Sequence, residues 1–160
     1  MGALFHFKQV TNMNFDYNVA EVELSYKPTQ EKRQKVNMST DAYNVLLPTF
    51  RDGTIEYKEY FKVLFLNQAS EVIGYATISE GGITETSADV RIILQGALLT
   101  NATQIILAHN HPSGNLHPSM EDISLTKRIA EACKVMRIRL TDHIIMSGSS
   151  YYSFATEGLI

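Results

Sequence analysis

Apolar and polar positions along the chain follow two rhythms, and each predicts an element. From Ala20 to Tyr26, the residues Ala20, Val22, Leu24 and Tyr26 alternate with Glu21, Glu23 and Ser25, the period of a half-buried strand. The run Glu59 to Leu66, Glu-Tyr-Phe-Lys-Val-Leu-Phe-Leu, is rich in aromatic and branched residues and predicts a central strand. A second strand is expected over Val72 to Ser79, closed by Gly81-Gly82 and joined to the first by a hairpin around Asn67 to Glu71. Gln104 to His109 has the continuous apolar character of a buried strand, and two more strands are expected near Arg139 to Met146 and Tyr151 to Ala155.

The other rhythm is helical. Ser39-Thr40-Asp41 opens a short helix whose apolar side is Val45, Leu46 and Leu47, and Pro48 ends it. Ser87 to Asn101 places Val90, Ile93, Leu94, Ala97 and Leu98 on one side of a helix. Ser119 to about Arg137 does the same with Ile123, Thr126, Ile129, Ala130, Cys133 and Met136. Helices alternating with strands, with hairpins among them, predict an α/β fold: a mixed β-sheet flanked by helices.

Length and composition narrow the picture. The 160 residues suit one domain with a proper core: an Asn-rich arm over 1–18, then a single domain over 19–160. A content of 44% hydrophobic and 19% charged residues is globular. The net charge of −3 argues against a domain that grips nucleic acid by overall charge. The basic stretch Lys27 to Lys35 reads as a solvated connection, and Arg51-Asp52-Gly53 as a turn. The lone Cys133 excludes an internal disulfide and any multi-cysteine zinc site, fits a reducing cytoplasm, and sits on the apolar side of its helix as a core residue. No apolar run approaches the roughly 20 residues of a membrane span. The first residues lack a signal peptide's basic start, so a cytoplasmic protein with no membrane contact is expected.

The stretch His109-Asn110-His111-Pro112-Ser113-Gly114 carries the candidate chemistry. At a strand end, residues two apart face the same way, so both imidazoles can close on one ion. Pro112 and Gly114 then turn the chain. Asp122, in the first turn of the following helix, can supply a carboxylate as third ligand. Two His and one carboxylate are the donor set of a catalytic zinc site, not a structural one. With 5 His in the chain, a chance His-x-His pair is expected about 0.15 times, and about 0.006 times once an Asp at one fixed offset is also required. Ser119 and Asp122 also have the spacing of a helix capping box, a role that needs no metal.

Taken together, His109-Asn110-His111-Pro112-Ser113-Gly114, Pro118-Ser119 and Asp122 resemble the signature of the JAMM (MPN-type) metalloprotein fold, and more closely its bacterial RadC-type branch. Leu125-Thr126-Lys127, Asp142-His143-Ile144-Ile145, Tyr152-Ser153-Phe154-Ala155 and Gly158 extend the resemblance, which runs from about Glu59 to the C-terminus. It implies a cytidine-deaminase-like JAMM/MPN architecture and a Zn2+ hydrolase of peptide or isopeptide bonds. By position, His109, His111 and Asp122 would be the metal ligands and Ser119 the oxyanion helper. The family's Glu on an earlier strand corresponds to Glu59, with Glu56 as runner-up.

Two departures stand against the family pattern. The residues upstream of the resemblance show no helix-hairpin-helix pattern, and the family's Arg-Glu-Val before the middle helix is here Ala88-Asp89-Val90. The family name implies DNA repair. A DNA-associated module is accordingly the alternative reading, with Lys127, Arg128, Lys134, Arg137 and Arg139 as its phosphate-facing group. A catalytically silent MPN scaffold is the third. His117 reads as a surface residue and His143 as structural or as a support to the ligands. A protein or peptide substrate is expected without its identity, substrate choice is assigned to the loops Asn115 to Pro118 and Ser79 to Thr86, and self-association through a sheet edge is the expected route to an oligomer.

Overall fold

Five strands and three α-helices are formed among the described residues of the computed structural model, which are 25–28, 32–51, 53–81 and 88–160. The arm over 1–18 and most of the strand expected over Ala20 to Tyr26 lie outside them. Ser25 and Tyr26 lie inside and are irregular, with the Tyr26 hydroxyl donating to the Ile73 carbonyl at 3.2 Å.

The chain forms α1 (Ser39–Leu46), β1 (Tyr60–Leu66), β2 (Val72–Glu80), α2 (Val90–Leu99), β3 (Gln104–Asn110), α3 (Met120–Val135), β4 (Arg139–Met146) and β5 (Tyr151–Ser153). The strands make one sheet in the order β2-β1-β3-β4-β5. Only β3 and β4, joined through α3, run parallel; the other pairs are antiparallel. The mixed sheet flanked by helices is the architecture expected. The boundaries differ slightly: β1 starts one residue after Glu59, and α2 starts at Val90, where Asp89 accepts from the Arg91 amide at 2.8 Å as a cap.

Alternation along the strands builds two cores. Tyr60, Leu64, Leu66, Ile106, Ala108, Ile144 and Met146 face α1 and pack on Ala42, Tyr43 and Leu46. Phe61, Val63, Phe65, Ile105 and Leu107 face the other way and pack on Ile93, Ala97, Ile129 and Cys133 of α2 and α3. Cys133 is wholly buried, as expected, and burial pushes its thiol up to about 11. Leu98 departs from its expected role. It is 48% exposed, because α2 meets the sheet through Ile93 and Ala97.

A register shift between Ile105 and Ile106 leaves Thr141 unpaired in β4, so Leu140 pairs with Ile105 and Asp142 with Ile106. This bulge reverses the alternation. Asp142 therefore turns toward α1, where it accepts from Ser39 and Ser153 hydroxyls at 2.7 and 2.8 Å. His143 turns to the opposite face, toward α3.

α2 approaches the sheet closely at Gly96. A Cβ placed there would lie 2.6 Å from Phe65 Cζ, and Phe65 is buried. Gly96→Ala is expected to destabilise the fold by about 1–3 kcal/mol through overpacking, despite the roughly 1 kcal/mol that alanine gains in helix propensity. Chemical denaturation measures it, and an unchanged midpoint would mean that the Phe65 ring swings clear.

Candidate metal centre

The parallel pair ends where α3 begins, and the candidate residues gather there. His109 is the penultimate residue of β3, on the α3 face, and is 1% exposed. His111 lies just beyond the strand rather than within it. The chain then turns: the Gly114 amide donates to the His111 carbonyl at 2.9 Å, and Gly114 takes a φ of +73°, a conformation that costs glycine little. The turn sets the Asn115 carbonyl 2.6 Å from His111 Nδ1. Ser119 then caps α3. Its hydroxyl accepts from the Asp122 amide at 3.0 Å, and the Asp122 carboxylate accepts from the Ser119 amide at 2.7 Å.

These local structures converge. His109 Nε2 and His111 Nε2 are 3.0 Å apart. Asp122 Oδ1 is 3.0 Å from His109 Nε2, and Asp122 Oδ2 is 3.5 Å from His111 Nε2. The three groups can each offer one donor atom within 4.8 Å of the others. In both rings Nδ1 is already engaged away from the cluster, by His143 and by the Asn115 carbonyl, so Nε2 is what each presents. Two imidazole nitrogens and one carboxylate form a donor set that fits zinc. Capping and ligand geometry thus coincide in Asp122.

The charges are strongly coupled. The hydrogen bond to Asp122 raises the His111 pKa above its ordinary value against partial burial, and the Glu59 charge adds to the rise. Burial alone would raise the Asp122 pKa, but hydrogen bonds with His109, His111 and Ser119 hold it well below the usual carboxylate range. Burial pushes His143 well below the ordinary histidine value.

Glu59 immediately precedes β1, half-buried, and its carbonyl accepts from the Gly81 amide at 2.9 Å. Phe61 pairs with His109. Extending that antiparallel register by two residues sets Glu59 opposite His111, consistent with its electrostatic effect on that ring. Glu56 is exposed. Ser119 is also exposed, and its hydroxyl proton is directed to Asp122 Oδ2 at 2.7 Å. His117 is on the surface, as expected.

Two residues escaped assignment to the site from sequence. Asn110, between the histidines, points to the other face and is wholly buried. Its Oδ1 accepts from the Tyr60 amide at 2.9 Å, and its Nδ2 donates to the Ile55 and Lys58 carbonyls at 2.6 and 2.9 Å. Strand alternation already placed this amide opposite the imidazoles, and a buried amide needs partners. Thr126, read only as part of an apolar stripe, bonds both the Asp122 carbonyl and His143 Nδ1 at 2.6 Å.

The basic group is separate. Lys127, Arg128, Lys134, Arg137 and Arg139 are exposed, and the last three line a shallow pocket of about 370 Å³ with Ala130, Ile138 and Leu140. That pocket is at the C-terminal end of α3, with Lys134 about 18 Å of helix away from Asp122. Of the two loops expected to choose a substrate, Asn115 to Pro118 borders the cluster through Asn115, while 82–86 of the other lie outside the described residues. Among the described residues, no helix is long and apolar enough to cross a membrane.

A mixed sheet carrying His-x-His at the end of a parallel strand, completed by an Asp at the start of the next helix, defines a JAMM/MPN-type α/β protein with a potential metal site. The RadC-like JAB domain model matches residues 36–159, and the chain belongs to this family. It is 43% identical over 146 residues to a UPF0758 protein of Porphyromonas gingivalis, covering 89% of this chain and 63% of that one. A UPF0758 protein of Flavobacterium johnsoniae is 38% identical over 159 residues, or 98% and 68% of the two chains. The UPF0758 protein YfjY of Escherichia coli is 42% identical over 103 residues, 64% of each. The chain spans about two thirds of the length of these curated relatives.

Proposed function

We propose that this chain is a zinc-dependent hydrolase of amide bonds in peptides or isopeptides. The convergence of His109, His111 and Asp122, with two ring nitrogens 3.0 Å apart beside a carboxylate, carries the reading. These three residues would hold the metal, and three protein ligands are the count of catalytic zinc sites. Bound zinc lowers the pKa of water from 15.7 towards about 7 and polarises a carbonyl.

The remaining chemistry belongs to the chain's own residues. Glu59 takes a proton from the attacking water as the new C–O bond forms, and passes it to the departing amine as the C–N bond breaks. Ser119 donates to the oxygen of the tetrahedral intermediate. That role requires the Ser119 hydroxyl to turn its proton away from Asp122 Oδ2, to which it donates at 2.7 Å. Asn115 fixes the His111 ring through its carbonyl.

The test is hydrolysis by the zinc-loaded chain of a mixed peptide library and of lysine-linked isopeptides, read as newly released amine. Cleavage is expected, lost on removal of zinc by a chelator and restored by adding it back. A chain that carries stoichiometric zinc and cuts neither substrate set would overturn the hydrolase reading and favour an assembly role.

A further inference from the structure

We infer that the outer edge of β4, from Arg139 to Thr141, is a docking site for an extended acidic segment of a protein partner, which adds there as a strand. The inference is independent of the reading of His109, His111 and Asp122 as ligands. β5 pairs only with Ile144, Ile145 and Met146, and the Phe154 amide then donates to the His143 carbonyl at 2.9 Å. Beyond it the chain leaves the edge, with the Ala155 amide on the Asp142 carboxylate at 3.0 Å. Among the described residues, no strand lies outside Arg139 to Thr141. The Arg139 amide donates inward to the Thr103 carbonyl at 2.9 Å, so by alternation the Leu140 amide and carbonyl are directed outward.

An added strand sends successive side chains to opposite faces of a sheet, and this edge has a cavity on each face. On the α3 face is the shallow pocket of about 370 Å³, where Ala130, Ile138 and Leu140 supply apolar surface and Lys134 and Arg137 supply charge. On the α1 face is a cavity of about 250 Å³, lined in part by Met38, Ser39, Thr141, Asp142 and Ala155. Arg139 lines both. Its guanidinium donates to the side-chain oxygen of the buried Gln104 at 2.6 Å, which holds it in place at the edge.

Charge selects the occupant. Lys134, Arg137 and Arg139 are exposed and form no ion pair among the described residues. The nearby Asp142 carboxylate is already engaged by the Ser39 and Ser153 hydroxyls and by the His143 and Ala155 amides. A second copy of this edge would set the three cations against their own counterparts, which is how charged edges resist self-pairing. A segment bearing carboxylates meets the same cations with the opposite sign. The open main chain then favours a peptide over a nucleic acid. A peptide pairs with both the outward amide and the outward carbonyl of Leu140 and lays apolar side chains on Ile138. Phosphate oxygens, which only accept, would face that carbonyl without a hydrogen bond.

The test uses the full chain and a fluorescent octapeptide alternating Glu and Val, with binding read by anisotropy at low salt. Saturable binding is expected, weakening as salt rises, and a peptide alternating Lys and Val is expected not to bind. The double variant Lys134→Glu, Arg137→Glu is expected to lose about tenfold or more in affinity through like-charge contact, with thermal melting to show that it folds. The Glu-Val peptide N-methylated along its backbone keeps its charge and loses its amide donors, and it too is expected not to bind. Peptide-induced NMR shifts are expected at the Leu140 and Thr141 amides. No binding of the Glu-Val peptide, wild-type affinity in the folded double variant, undiminished binding of the N-methylated peptide, or shifts confined to another surface each overturn the inference. Tighter binding of an oligothymidine strand than of the peptide, lost in the same double variant, overturns it in favour of nucleic acid.

Discussion

His109→Ala is expected to abolish zinc binding, where the wild-type chain is expected to hold about one zinc ion. The loss should exceed the roughly 10–100-fold cost of removing an outer partner of a ligand, because one of three donors disappears. Metal analysis by mass spectrometry after desalting reads it directly. Since His109 is buried against Phe61, the substitution also leaves a cavity. His111→Ala, in a half-exposed position, separates the two effects. Melting gives a second readout: zinc at 100 times its dissociation constant adds about 2.7 kcal/mol to the wild type and should add little to either variant. Equal zinc content in wild type and both variants would place the metal elsewhere.

Glu59→Gln is the second large effect. Turnover of any amide substrate is expected to fall by about 10²–10⁴-fold, the usual contribution of a general base, with zinc content unchanged. The amide keeps the size of the carboxylate and removes its capacity to accept a proton. The same substitution removes a negative charge facing His111, so the His111 pKa should drop toward its ordinary value. Full activity in Glu59→Gln with zinc bound would move the proton-transfer role to another group, and Glu56→Gln is the comparison that identifies it.

The candidate ligand cluster was legible because two simple periods met in it. The two-residue period at the end of β3, carried one residue past the strand, aligned His109 with His111, and the capping spacing placed Asp122 in the first turn of α3. Neither signal needed knowledge of the tertiary fold. His143 was harder, because its facing depends on the Thr141 bulge, and a bulge leaves no mark in an alternating pattern. Thr126 was hidden for another reason. A hydroxyl at helical spacing among Ile123 and Ile129 reads as a tolerated core residue until its partner across the layer is known. The expected burial of Leu98 failed because a helix stripe shows which side is apolar, not how much of it the sheet can cover. Gly96 narrows the contact by letting Phe65 come close.

Asn110 has a consequence for how such a chain can change over time. Its amide grips the Tyr60 amide and the Ile55 and Lys58 carbonyls, all backbone atoms. The separation between Glu59 and the histidines is thereby gauged by main chain, indifferent to which side chains the Ile55 to Lys58 turn carries. That segment, and the loop from Ser113 to Pro118 on the other side, are free to drift in sequence while the spacing of the proposed base and the proposed ligands is inherited intact. One buried amide lets the rim of the site diversify without recalibrating its centre.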